Sequence, residues 1–405
     1  MNNLRFKHQI AFLAAVGIVA CSTSCSTDDG GPEHVLSDKE IHLSVSMGNV
    51  TTGGFNGSRA WNGVYNNDNF DRFSLFAFYD NGSTFLNGVG VSRNTSNNVC
   101  TWTNNTVYWP VTENLHFYGF APQQNWSVSV ENNQPVLRNY VVENPPSTDF
   151  IFAQDRDCNS TRNNGWVNLE FIHALSRIEI FIENMSPYYE VGIHGLDLQF
   201  MQYQADLILP DNGATSANNT GYWTNHKANR RSYNTNSIDQ VDMETGGNPR
   251  VIDKWGNNHA VARPGQRRSL LTGNSALLVL PQSVPHWDYN TQPALQDGET
   301  SNNIGPNIVL MGRVTDTRLD NAELVDDYIL GLTKMVVPLN PNNGAISLEP
   351  NKTYRVFVRF GDNAGHNNLG ITVNGEKVAI PVSTWVTVED WGETHVTVDW
   401  PYATP

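Results

Sequence analysis

The chain has 405 residues, and at about 150 residues per domain that length allows two or three domains with substantial cores. Its net charge is -15, and its densest basic groupings are the pairs Arg230-Arg231 and Arg267-Arg268. The phosphate-neutralising surface of a nucleic-acid binder is missing, so no nucleic-acid partner is expected.

The first residues read as an address. Arg5 and Lys7 precede an apolar run from Ile10 to Ala20. That run is too short to cross a hydrocarbon core of about 30 Å, and residues 1–20 read as a cleavable export signal. Cys21, with the aliphatic Ile18 three positions before it, resembles the lipobox of bacterial lipoproteins. The resemblance implies that the Cys21 thiol is acylated and becomes the new N-terminus, tethered outside the cytoplasm. Cys25 is a second candidate, but Ser22-Thr23-Ser24 before it lacks the aliphatic residue. Residues 21–34 form a small, polar, acidic tether.

Period-two patterning begins next. Ile41, Leu43, Val45 and Met47 alternate with His42, Ser44 and Ser46, the signature of a half-buried strand. Thr51 to Arg59 is a flexible, glycine-rich stretch. Strands are expected at Phe73–Tyr79, Val99–Thr103, Val107–Trp109, His116–Phe120 and Val167–Glu183, with Asn104-Asn105 as a tight hairpin connection. Cys100 and Cys158 leave two options open, a disulfide or two buried thiols. Pro187 marks the expected boundary between an N-terminal domain (35–186) and a C-terminal domain (187–405).

The second half opens with strands at Leu196–Tyr203 and Ala205–Leu209, then a long polar insertion from Asp211 to Arg268. Strands return at Ala276–Pro281, Asn307–Val314, Leu332–Leu339, Thr353–Phe360, Leu369–Val373, Trp385–Glu389 and Thr394–Trp400. No amphipathic helix longer than a couple of turns stands out. Many short strands with few helices make an all-β chain of two tandem β-sandwiches.

Four stretches of the first half now carry a resemblance. They are Cys100-Thr101-Trp102 leading to Tyr108-Trp109-Pro110, then Leu115 to Pro122, then Asp149-Phe150-Ile151-Phe152-Ala153, then Leu169 to Ile178. Their order and spacing resemble the fimbrillin-like proteins of Bacteroides-type bacteria, which include type V pilus subunits. The closing Val386 to Trp391 is also similar to the end of that family. The resemblance implies transthyretin-like sandwiches, export as an outer-membrane lipoprotein, and a structural or adhesive role in a surface fimbrium with other pilus subunits as partners. It also implies a mechanism, in which the first strand is cut away after an arginine and a neighbouring subunit's strand fills the groove.

Carried onto this sequence, Ile41, Leu43, Val45 and Met47 form the removable strand and Arg59-Ala60 is the cleavage site. The alternative is a loop arginine beside a permanent first strand. Val396, Val398 and Trp400 are the candidate donor strand, yet Pro401 and Pro405 cut it short. Those residues instead pair with Trp385–Glu389 as a hairpin in a second reading, which favours a tip or base subunit over a shaft subunit. Each motif also has a packing explanation, with His173 as a satisfied structural histidine and Arg177 near the surface or capping a turn.

Chemistry is scarce. There is no His-Glu-x-x-His motif, no Gly-x-Ser-x-Gly elbow and no phosphate-binding glycine loop, so no enzyme, catalytic residue, metal or cofactor is expected. Asn66–Asp71 and Asp155–Asn159 lack EF-hand spacing and read as solvated turns. The rival to a pilus role is a non-polymerising surface lipoprotein that binds a glycan or host ligand. In that reading Trp223, Trp255 and Trp287 are sugar platforms; otherwise they pin loops onto the sandwich. Asn125-Trp126-Ser127 has the form of a glycosylation site but carries no weight beside a bacterial export signal.

Overall fold

The computed structural model describes residues 35–47, 65, 69–94, 100–102, 106–131, 134–143, 148–187, 189–209, 223–235, 250–252, 258–271, 276–287, 305–316, 333–340, 346–361, 369–373, 376–380 and 382–390. Among them the chain is almost entirely strand, and the one helical element is a 3-10 turn at Arg162–Gly165. The first half contains β1 (Leu36–Glu40), β2 (His42–Met47), β3 (Arg72–Tyr79), β4 (Thr84–Arg93), β5 (Cys100–Trp102), β6 (Tyr108–Pro110), β7 (Leu115–Ala121), β8 (Val128–Glu131), β9 (Gln134–Val141), β10 (Ile151–Cys158) and β11 (Trp166–His173). The next strands are β12 (Ser176–Asn184), β13 (Tyr189–Gln202), β14 (Gln204–Ile208), β15 (Trp223–Thr224), β16 (Arg230–Thr235), β17 (Arg250–Ile252), β18 (Asn258–Ala262), β19 (Arg267–Leu271), β20 (Leu277–Val279) and β21 (Gln282–Val284). The last are β22 (Asn307–Asp316), β23 (Thr333–Pro338), β24 (Ile346–Leu348), β25 (Lys352–Phe360), β26 (Leu369–Val373), β27 (Glu376–Ile380) and β28 (Val382–Asp390).

Seven strands of the first half form one sheet in the order β2-β11-β10-β7-β3-β4-β5. Its middle is covered on both faces. Phe73, Leu75, Phe117, Ile151 and Ala153 point into one core, shared with Ile41 and the inward side chains of β2. Phe76, Phe78, Tyr118, Phe120 and Phe152 point into another, shared with second-half residues such as Ile180, Leu196 and Leu310. A strand covered on both sides needs no polar face, which is why every residue of β7 is buried. Gly119 answers a close approach here, because a Cβ at that position would lie 2.6 Å from Phe171 Cζ.

The second half supplies a sheet ordered β19-β12-β25-β28 and another ordered β17-β18-β13-β22-β23. A smaller sheet, β15-β14-β9-β8, joins a first-half hairpin to second-half strands. Several expectations change as a result. The run at 167–183 is two strands, broken at Ala174-Leu175, and β12 hydrogen-bonds only to β19, β20 and β25 among the described strands. Strand pairing thus crosses Pro187, with β12 before it and its described partners after it. Nor do β5 and β6 form the hairpin expected around Asn104-Asn105, since β5 pairs with β4 and β6 with β1. The polar stretch 211–268 contains β15 to β18 and the start of β19.

β12 and β25 run parallel from Arg177 opposite Thr353 to Asn184 opposite Phe360. Two acidic side chains of β12 fasten the pair. Glu179 meets Arg355 at 3.0 Å and Arg177 at 2.8 Å, while Glu183 meets Arg359 at 2.8 Å and Arg267 at 3.1 Å. Arg177 is thus mostly buried in an ion-paired network and does not cap a surface turn. Burial alone would raise the Glu183 carboxyl, but hydrogen bonds from Arg359 and Arg267 outweigh it and hold its pKa below the ordinary value.

Two outcomes follow from this packing. Gly119→Ala should destabilise the protein by about 1–3 kcal/mol in urea unfolding, because the new methyl group overlaps the Phe171 ring. A carboxyl with a depressed folded pKa stabilises above its unfolded value and loses that contribution as pH falls. Glu183→Gln should therefore cost about 1–2 kcal/mol at neutral pH, and the gap should close as pH drops below about 4. Urea midpoints across that range measure it.

Candidate functional site: the slot of the first strand

The alternation read at residues 41–47 is a strand with a changing set of partners. β1 lies antiparallel to β6, with Leu36 opposite Pro110 and Glu40 opposite Tyr108. β2 then runs parallel to β11, with His42 opposite Trp166 and Met47 opposite Phe171. Ile41 sits at the switch. Its N–H donates to Val107 O at 2.8 Å, and its carbonyl accepts the Trp102 indole N–H at 3.2 Å. These contacts bring the two ends of the seven-stranded sheet, β2 and β5, towards each other.

Side chains at 41, 43, 45 and 47 point inward, with exposures of 0%, 2%, 1% and 6%. They pack in one cluster with Trp109, Phe117, Val167, Leu169 and Phe171. His42 and Ser46 face solvent, and the His42 ring lies 5.1 Å from that of Trp166. At about 1.5–3 kcal/mol for each fully buried aliphatic side chain, the four contribute roughly 6–12 kcal/mol. That is comparable with the whole stability of a typical domain, about 5–15 kcal/mol. The slot is too costly to leave unfilled.

Tyr65, the next described residue after Met47, is fixed to the same part of the fold. There the backbone N–H donates to Asp149 Oδ2 at 3.0 Å, and the same oxygen meets His173 Nδ1 at 2.8 Å. Asp149 and His173 are both buried, so the histidine has the structural role expected of it. The Tyr65 ring meets Phe70 edge-on at 5.7 Å, and burial, with help from Asp149 and Asp71, pushes its hydroxyl up to about 12. The strand and the segment that follows it are therefore held independently, each by its own anchors.

A family model described as fimbrillin-like matches residues 58–285, more than half of the chain. The chain belongs to the fimbrillin-like family. It is similar to a fimbrial protein from Bacteroides vulgatus, at 12% identity over 87% of this chain and 100% of that one, with a TM-score of 0.49. It is also similar to the fimbrial anchor protein Mfa2 from Porphyromonas gingivalis, at 9% identity over 87% of this chain and 98% of that one, with a TM-score of 0.29. No curated protein matches it.

Other site residues of this fimbrillin-like chain fall in different places. Cys21, Arg59, Ala60, Trp255, Val396, Val398 and Trp400 lie outside the described residues. Cys100 and Cys158 are separate thiols. They sit on β5 and β10, with β7, β3 and β4 between those strands, and a disulfide needs Cα atoms within about 7 Å. Burial pushes the Cys100 thiol up to about 12 and raises Cys158 as well, so neither is poised as a thiolate.

Burial of two tryptophans fits the second of their two readings, side chains that pin the chain onto the core. Trp223 is 4% exposed, with its indole N–H on Ala174 O at 2.6 Å, and Trp287 is wholly buried. Neither offers a face to a sugar; both are core residues. The stretch read as a solvated turn, Asp155–Asn159, is instead strand β10 as far as Cys158, and the buried Asp155 is taken up by Arg162 at 2.9 Å and by the Asn168 N–H at 2.8 Å. Asp80, His116 and Asp157 bring a ring nitrogen and two carboxylates within 4.8 Å of one another. The Asp157 N–H donates to His116 Nδ1 at 3.1 Å, which leaves the ring proton on Nε2, 2.9 Å from Asp80 Oδ1. Both ring nitrogens are thus spent on hydrogen bonds that tie β7 to its neighbours.

The slot makes a contrast within one strand measurable. Leu43→Ala should cost about 2–5 kcal/mol in urea unfolding, whereas Ser46→Ala should stay within about 0.5 kcal/mol of the parent.

Proposed function

We propose that this fimbrillin-like chain is a subunit of a cell-surface pilus, exported as an outer-membrane lipoprotein through Cys21 and assembled by exchanging its first strand. The single observation that supports the reading is β2 itself. It closes a core from the end of the sheet, parallel to β11, with apolar side chains at every second position. Cutting Arg59-Ala60 would sever its covalent link to the body while Tyr65 stays fixed on Asp149. The strand would then be held by ladder hydrogen bonds and four side chains alone. Another strand with the same alternation could replace it, with main-chain bonds supplying affinity and the pockets supplying register. A one-residue slip would place polar side chains in every pocket, so the register is strict.

We take the slot-bearing domain to be residues 35–174, ending before β12. A tip or base position is favoured by the short C-terminal run Val396, Val398 and Trp400, which Pro401 stops. The decisive experiment is the N-terminal sequence of the protein in purified surface filaments. A start at Ala60 is expected, and Arg59→Ala should leave an intact acylated chain and abolish heat-stable ladders. Filaments built from chains that still begin at Cys21 would overturn the proposal.

A further inference from the structure

A pocket of ≈180 Å³ opens beside β9, between the segment after β7 and the residues leading into β10. Its size, below the about 300–1,000 Å³ of drug-sized sites, suits one small ring. Two half-buried aromatic residues form a wall. Trp126 and Tyr140 lie 6.1 Å apart and 29° from parallel, and the Trp126 indole N–H is fixed on Pro122 O at 3.0 Å. Behind them, buried Phe150 lies 5.0 Å from Trp126 and 4.7 Å from Tyr140, and Trp223 lies 5.2 Å from Tyr140. The wall is therefore backed by core and keeps its shape without a ligand.

The polar lining selects the kind of ligand. Arg138 is paired with two carboxylates, through Nε and Nη2 on Glu131 and Nη1 on Asp206 at 2.6 Å, which offset its charge and weaken its pull on a further anion. Glu143 and Asp149 also line the pocket, and they repel anions. Asp149 is wholly buried, and its Oδ1 has no hydrogen-bond partner among the described residues. Burial, then Asp149 and Glu143, raises the Tyr140 hydroxyl, which stays a neutral O–H. Aromatic rings beside carboxylate acceptors, with Arg138 already ion-paired and no other cation among the described lining residues, match the apolar C–H face and hydroxyl edge of an uncharged sugar.

We propose that this pocket binds one neutral pyranose unit, stacked on Trp126 and Tyr140. The pocket shares Asp149 with the Tyr65 anchor but none of the side chains that line the first-strand slot, and the variants below leave Asp149 in place, so strand exchange and sugar binding are tested separately. Trp126 escaped notice in the sequence because Asn125-Trp126-Ser127 reads first as a glycosylation pattern.

The test is calorimetry on the intact soluble chain with methyl glycosides of glucose, galactose, mannose, fucose and N-acetylglucosamine, beside that of N-acetylneuraminic acid. At least one neutral glycoside should bind with a Kd of about 1 mM, the range open to so small a ligand. The sialoside should not bind. Trp126→Ala should weaken binding by about tenfold or more. Ser127→Arg, an exposed pocket residue whose replacement blocks the mouth without touching the core, should do the same. An array of oligosaccharides ending in the same unit tells a surface glycan from a free sugar, since only the former should be captured with comparable affinity. Absence of binding to every neutral glycoside at about 10 mM, preference for the sialoside, or binding unchanged in both variants would overturn the proposal.

Discussion

The parallel contact between β2 and β11 is the interaction on which the core beneath the seven-stranded sheet depends. β11 has β10 on one side and would present an open ladder of N–H and C=O groups on the other. β2 supplies the missing partner along Trp166 to Phe171 and covers the core beneath with Ile41, Leu43, Val45 and Met47. Hydrogen-bond satisfaction and apolar burial are thus met by the same six or seven residues, and both are lost together if the strand leaves. Its place at the end of the sheet means that its departure, together with β1, breaks the ladders to β11 and β6 and leaves the order of the other six strands of that sheet intact.

That remaining body is braced from the other side. Phe76, Phe78, Tyr118, Phe120 and Phe152 tie the same sheet into the larger core that holds the second half. β12 locks against β25 through eight paired residues and the Glu179 and Glu183 ion pairs, joining positions more than 170 residues apart in sequence. Asp149, buried with His173, holds the backbone N–H of Tyr65. An edge that can be vacated on a scaffold that cannot easily rearrange is the physical requirement for exchanging one strand for another.

The legible parts of this structure were local. Ile41 to Met47 announced itself because one face is wet and one dry, and the aromatic run from Phe117 to Phe120 because it is covered on both. β4 was missed since Asn87, Gly88 and Gly90 resemble a turn, and β10 because Asp155-Arg156-Asp157 looks too charged for a strand. What sequence could not supply was the partner of each strand. β11 as the neighbour of β2, and β25 as the neighbour of β12, are pairings that no local pattern encodes. The same limit hid the surroundings of the tryptophans. Trp223 and Trp287 have polar neighbours along the chain but are buried in space, whereas the half-buried Trp126 stands where a pocket forms.

The most direct measurement takes a chain that begins at Ala60 and adds a synthetic peptide of residues 35–48. Its melting temperature should rise with peptide concentration and saturate at one peptide per chain. A peptide carrying Leu43→Ser and Val45→Ser should have no effect. A shortened chain as stable as the full one without peptide, or one that responds equally to both peptides, would contradict the account.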